Sequence, residues 1–259
     1  MSNSLFFETR GQGPNLVLLH GWGLNSGVWE PISHILEQYF RITLLDLPGF
    51  GRNADVLPAQ YDLDSVCSMV ADCIPDKSSF IGWSLGGLVA QQLAISRPEQ
   101  CENLVLVASS PKFSEAQGWP GIKANVLQAF TRQLEQDFSK TLDRFMAIQA
   151  MGSESAKQDI KLIKSHIQQY PIPDDIALRA GLSILANTDL RAQVGGIKCP
   201  TFRLYGRLDS LVPAKAIPLI ENSQLSDFTH VFPHASHAPF ISHPDEFIAI
   251  LFKCLNITS

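Results

Sequence analysis

An α/β architecture, a mostly parallel, doubly wound sheet with an inserted helical cap, is what the 259-residue sequence predicts. Two observations point there. Short apolar runs of strand length recur between segments of helical periodicity, and that alternation is interrupted once, over residues 111–190, by consecutive helical patterns. A third concerns composition: 45% hydrophobic against 17% charged residues lets the chain bury a large core.

The predicted strands are Leu16–Leu19, Ile42–Leu45, Phe80–Trp83, Leu104–Val107, Phe202–Tyr205 and Phe228–Phe232. Most are apolar without alternation, the pattern of parallel strands covered on both faces. Between them, Val28, Trp29, Ile32, Ile35 and Leu36 have helical spacing, as do Leu88, Val89, Leu93 and Ala94, and later Phe247, Ile248, Leu251 and Phe252. In the interruption, Val126, Leu127, Phe130 and Leu134 predict one helix and Leu142, Phe145, Met146 and Ile148 another, with Pro171-Ile-Pro173 breaking a later stretch. Strands resume at Thr201, so residues 1–110 and 191–259 are expected to form one core that carries residues 111–190 as its cap.

Charge and hydropathy narrow the partners. A net charge of −5 argues against nucleic acid as a bulk electrostatic partner. No apolar run approaches the ~20 residues of a membrane span, and Met1–Arg10 has no export-signal pattern. A cytoplasmic monomer without cofactor is expected. Cys67, Cys73, Cys101, Cys199 and Cys254 are scattered and odd in number, which predicts isolated reduced thiols.

The sharpest local signal is Gly82-Trp83-Ser84-Leu85-Gly86-Gly87, a G-x-S-x-G spelling placed where a predicted strand turns into a helix. Small residues two positions either side of a nucleophile let a strained turn pass close to its neighbours. A serine hydroxyl needs a base to take its proton, which predicts an acid and a histidine later in the chain. Asp209, just after the penultimate strand, is the favoured acid; Asp46 is its rival but precedes the serine. His237, in the loop after the last strand, is the favoured base, with His234 as competitor. His230, His234 and His237 do not read as a metal site, because Pro233 prevents the helix that would align them. An oxyanion requires two aimed N–H donors. Leu85, next after the serine, should give one, and Trp22, in the loop His20-Gly-Trp-Gly23, the other.

Taken together, the H-G-W-G loop, the D-L-P-G-F-G run at Asp46–Gly51, the G-W-S-L-G-G elbow, the Y-G-x-L-D-x-L-V-P segment and the H-A-P-F-I-S-H-P run resemble the α/β-hydrolase superfamily. Within it, the chain is similar along nearly its whole length to the bacterial esterases of biotin synthesis that act on methyl esters held by acyl carrier protein. That resemblance implies the α/β-hydrolase fold and the triad Ser84, Asp209 and His237. It implies a substrate contact from Phe145, Met146, Ala147, Ile148 and Gln149 in the cap. The implied reaction is hydrolysis of a methyl-esterified dicarboxylic acyl chain on acyl carrier protein, releasing methanol. The residues alone leave open a broad short-chain carboxylesterase or lactonase, or a non-catalytic ligand-binding protein on the same scaffold.

Charge is unevenly spread. Residues 111–190 hold nine basic and nine acidic side chains, so the rest of the chain carries the whole −5. Lys140 and Arg144 are spaced i,i+4, as are Lys157 and Lys161, so each pair shares a helix face. Such a face suits an acidic carrier protein.

Overall fold

The computed structural model describes residues 4–149 and 156–257. Its sheet has seven strands: β1 (Phe7–Arg10), β2 (Asn15–Leu19), β3 (Arg41–Leu45), β4 (Ser78–Trp83), β5 (Cys101–Val107), β6 (Thr201–Gly206) and β7 (Phe228–Phe232). Their order is β1-β3-β2-β4-β5-β6-β7, and every pairing is parallel except β1 with β3. All six strands expected from sequence are present. β1 was not expected: half-exposed at an edge and carrying Glu8 and Arg10, it lacks the apolar run that marks the others.

Side-chain alternation along the strands divides the core between two faces. Val17, Leu19, Phe80, Leu104 and Leu106 face one side, with α2 (Leu63–Ala71) and α3 (Leu85–Ser96). Leu16, Leu18, Ile81, Val105 and Val107 face the other, with α1 (Glu30–Leu36) packed there.

Between β5 and β6 lie α4 (Ala124–Gln136), α5 (Phe138–Gln149), α6 (Ala156–Ile167) and α7 (Asp175–Asn187). The first residues of this stretch are not helical. Residues 112–123 form a looped segment pinned by the Ala116–Trp119 and Ser114–Ile122 bridges. The stretch joins the sheet through a narrow root, where Leu190 N–H donates to the Pro111 carbonyl at 2.9 Å and Lys112 pairs with Asp189 at 3.4 Å. Leu127, Phe130 and Phe145 join one core face, whereas Met146, Ile163 and Ile167 join the other, so the helices straddle the sheet's C-terminal edge.

Three helices complete the chain: α8 (Ile217–Ser223), α9 (Pro239–Ser242) and α10 (Pro244–Cys254). Near α8, the guanidinium of β6 residue Arg203 is fully buried. It donates to the Gln224 carbonyl at 3.1 Å and pairs with Glu221 at 3.4 Å, and Glu221 is further held by Ser226 and Thr229. A buried charge that loses its partner is strongly destabilising. Glu221→Ala should therefore cost about 3 kcal/mol in urea unfolding, and a loss below about 0.5 kcal/mol, typical of a surface site, would contradict this reading.

Candidate active site

β4 is buried on every residue and ends at Trp83; α3 begins at Leu85. Ser84 bridges them with φ 55 and ψ −117, a left-handed conformation that costs a non-glycine residue about 1–3 kcal/mol. The flanking glycines allow it. A Cβ on Gly82 would stand 2.6 Å from the Gly86 carbonyl oxygen, and one on Gly86 would strike the Leu19 and His20 carbonyls. The turn is held by backbone: Ser84 N–H donates to Val107 O at 3.0 Å, and Ser109 Oγ donates to the Ser84 carbonyl at 3.0 Å.

At the same sheet edge, Asp209 follows β6 and His237 follows β7. Two backbone N–H groups, from Leu211 and Val212, fix Asp209 Oδ1 at 2.8 and 3.1 Å. Its other oxygen accepts from His237 Nδ1–H at 2.7 Å, with both side chains buried. Because the carboxylate can only accept, the pair sets the tautomer: His237 carries its proton on Nδ1 and keeps a lone pair on Nε2. Nε2 is buried and makes no hydrogen bond among the described residues. Trp83, the residue before the serine, donates its indole N–H to the His237 carbonyl at 2.8 Å, so the elbow and the histidine loop are tied directly.

The rivals named from sequence lie elsewhere. Asp46 is engaged by Arg52 at 3.0 Å and by the N–H groups of Ser26 and Arg52. His234 is exposed, and His230 packs edge-on against Phe232 and faces Glu246 at 3.5 Å.

The loop after β2 lies against the elbow: a Cβ on Gly21 would sit 3.3 Å from the Ser84 Cβ. Next to it, the Trp22 indole donates to the Leu178 carbonyl of α7 at 2.8 Å and meets Phe145 edge-on at 4.8 Å. Phe145 in turn meets Phe130 of α4 at 5.7 Å. Leu85, as the first residue of α3, has an N–H that no helical carbonyl can reach.

Of the α5 residues expected to touch substrate, Phe145 and Met146 are buried, whereas Ala147 is exposed. The helical turn of about 100° per residue carries Ala147 to the outer face. The side chains of Ile148 and Gln149 lie outside the described residues. Met146 lines a cavity of about 280 Å³ beside the Trp22 loop, together with Gly23, Asn25, Leu142, Ile167 and Tyr170.

Sequence reasoning gave His20 no role of its own. It is fully buried; Nδ1–H donates to the Gly21 carbonyl at 2.8 Å, and Nε2 accepts from Leu47 N–H at 3.0 Å. It therefore braces the Trp22 loop against the loop after β3. Its position opening the H-G-W-G run was the available signal.

Comparison with known proteins identifies the fold and the family. A family model described as alpha/beta hydrolase fold matches residues 14–244. A pimeloyl-[acyl-carrier protein] methyl ester esterase of Pseudoalteromonas atlantica is 51% identical over 254 residues, covering 98% of each chain. The protein of the same name from Aliivibrio fischeri strain MJ11 is 48% identical over 99% of each. Among solved structures, an esterase from Exiguobacterium antarcticum superposes with a TM-score of 0.85 at 21% identity, covering 97% of this chain and 95% of that one. A bromoperoxidase from Bacillus anthracis gives 0.85 at 19% over the same shares.

Burial holds His20 below its ordinary pKa, and the nearby Asp46 charge offsets this only in part. In acid the unfolded chain takes a proton there that the folded chain refuses, so this site removes stability as pH falls below about 6.5 and is silent above it. His20→Gln should lower stability at pH 7.5 by about 1–2 kcal/mol and flatten the decline between pH 7 and 5. An unchanged acid limb in urea titrations would contradict the assignment.

Proposed function

The chain belongs to the alpha/beta-hydrolase family, and from that premise we propose that Ser84, His237 and Asp209 make it a serine carboxylesterase. Its substrate is the methyl ester of pimeloyl-[acyl-carrier protein], the ester named for its full-length relatives, and the products are the free pimeloyl carrier protein and methanol. The observation that carries the chemistry is the buried His237–Asp209 pair, which leaves the Nε2 lone pair free at the sheet edge where Ser84 turns.

In this mechanism His237 Nε2 takes the proton from Ser84 Oγ as the oxygen attacks the ester carbonyl. Negative charge gathers on the carbonyl oxygen, and the N–H groups of Leu85 and Trp22 stabilise it. The imidazolium, held by Asp209, then protonates the departing methoxide. Water, deprotonated by the same nitrogen, attacks the acyl-Ser84 ester and regenerates the serine. Asp209 holds the imidazole in place throughout, its other oxygen fixed by two backbone N–H groups.

The same reading places the acidic carrier protein on α5 and α6. Lys140, Arg144, Lys157 and Lys161 are exposed there. The exposed Lys140 pairs with the half-buried Asp137 at 3.1 Å, a surface pair that a docking carboxylate can replace at little cost. α5 and α6 also wall the cavity containing Met146, which reaches Gly23 beside Trp22, a route by which a carrier's prosthetic arm could deliver the ester. Met146 lines that cavity and Phe145 packs against Trp22, which supports a role for both in meeting the acyl chain.

Ser84→Ala should cut methanol release roughly a millionfold with the circular dichroism spectrum unchanged; turnover near the wild-type rate would require another nucleophile. Reversing the charges of Lys140, Arg144, Lys157 and Lys161 together should raise KM for the carrier-bound ester about 10- to 100-fold, with the gap closing at high salt. Dimethyl pimelate should be hydrolysed as before. An equal effect on both esters would point to a structural defect, and no effect on either to a general carboxylesterase.

A further inference from the structure

Two of the five cysteines are not isolated. Cys101 begins β5, Cys199 lies two residues before β6, and 98 positions apart in sequence their Sγ atoms come within 3.2 Å. Neighbouring backbone fixes both. Leu104 N–H donates to the Pro200 carbonyl at 2.9 Å, Thr201 pairs with Leu104 in the β5–β6 register, and Thr201 Oγ1 donates to the Cys199 carbonyl at 3.2 Å. Cys101 also lies 3.8 Å from the Asn103 carbonyl; Cys67 faces the Val89 carbonyl at 3.5 Å and Cys73 that of Leu5 at 3.9 Å, while Cys254 is buried on the opposite core face.

We propose that Cys101 and Cys199 form an oxidisable dithiol site that a hydroperoxide closes to an intrachain disulfide, clamping the two chain segments that run to and from the inserted helices. The two thiols differ in the way such a site needs. Cys101 is buried, whereas Cys199 is half-buried and lines a surface cavity of about 670 Å³ with Lys198, Thr201, Glu221 and Asp227. Peroxide therefore reaches Cys199 first. The contact between the two sulfurs holds the Cys199 thiol below its ordinary pKa and, with burial, pushes Cys101 up. Cys199, the more exposed of the two, is thus the attacking sulfur and Cys101 the resolving thiol.

The chemistry balances with the peroxide as the only oxidant. Cys199 thiolate attacks one peroxide oxygen and the O–O bond breaks; the departing hydroxide takes up the proton lost from Cys199, giving a sulfenic acid and one water. Cys101 sulfur then attacks the sulfenic sulfur, the S–O bond breaks, and the hydroxide released takes the Cys101 proton as a second water. Two thiols lose two electrons in all, and the peroxide gains them. The sulfur atoms must close from 3.2 Å to about 2.05 Å, a movement of about 1 Å.

Position sets the consequence. Ser84 and Asp209 follow the C-terminal ends of β4 and β6, whereas Cys101 and Cys199 stand at the opposite edge of the sheet. The bond would leave the catalytic groups untouched and constrain the unfolded chain across a long loop that contains every residue of α4, α5, α6 and α7.

The test uses the full reduced chain, treated with a slight excess of hydrogen peroxide, alkylated and digested without reductant. A peptide joining Cys101 to Cys199, lighter by two hydrogens than its separate parts, is expected. It should come with a Tm several degrees higher that dithiothreitol reverses. Cys101→Ser and Cys199→Ser should each abolish both signals, while Cys73→Ser should keep them. Alkylation of both thiols after peroxide, or a sulfinic acid on Cys199 without the joined peptide, overturns the proposal.

Discussion

Ser84 keeps its left-handed backbone only because its neighbours leave it no alternative, and most of the molecule serves that constraint. β4 lies at the centre of the sheet, paired on both sides and buried on every residue, so its end cannot relax. α3 packs back so closely that Gly82 and Gly86 have no room for a Cβ. The strain of about 1–3 kcal/mol in one residue is sustained by burial distributed over the whole strand and helix. It returns a hydroxyl held clear of its own helix at the edge where the loops after β2, β6 and β7 converge.

Two buried histidines flank this serine, and hydrogen bonding alone distinguishes them. His20 has both ring nitrogens satisfied by backbone, so it is a brace. His237 has one nitrogen satisfied by a carboxylate and the other without a hydrogen bond among the described residues. Trp22 and Trp83 divide the remaining labour: Trp22 fastens the inserted helices to the loop after β2 through Leu178 and Phe145, and Trp83 fastens the His237 loop to the elbow. The loops that bring Trp22, Ser84 and His237 to one sheet edge are therefore joined by their own side chains.

Much of this was legible in sequence, for a physical reason. Parallel strands covered on both faces leave uninterrupted apolar runs, and a strained nucleophile turn tolerates few residues beside it. Both features are local. β1 escaped notice because an edge strand needs no apolar run, and strands β4 and β5 start earlier than expected because their first residues, Ser78 and Cys101 among them, are small or polar. The preference for Asp209 over Asp46 rested on chain order; in the structure Asp46 is engaged by Arg52 and Ser26, and Asp209 by His237. The role of His20 and the meeting of Cys101 with Cys199 depend on contacts between distant segments, which no spacing encodes.

The central claim is that Ser84 is activated by His237 and that His237 is held by Asp209. The rate of Ser84 phosphonylation by a fluorophosphonate tests it most directly, measured by peptide mass in wild type, His237→Ala and Asp209→Asn, because it reads nucleophile activation without depending on carrier-protein docking. The account predicts labelling at Ser84 alone, slowed by orders of magnitude in both variants. Equal labelling rates in all three proteins, or modification of a different hydroxyl, would contradict it.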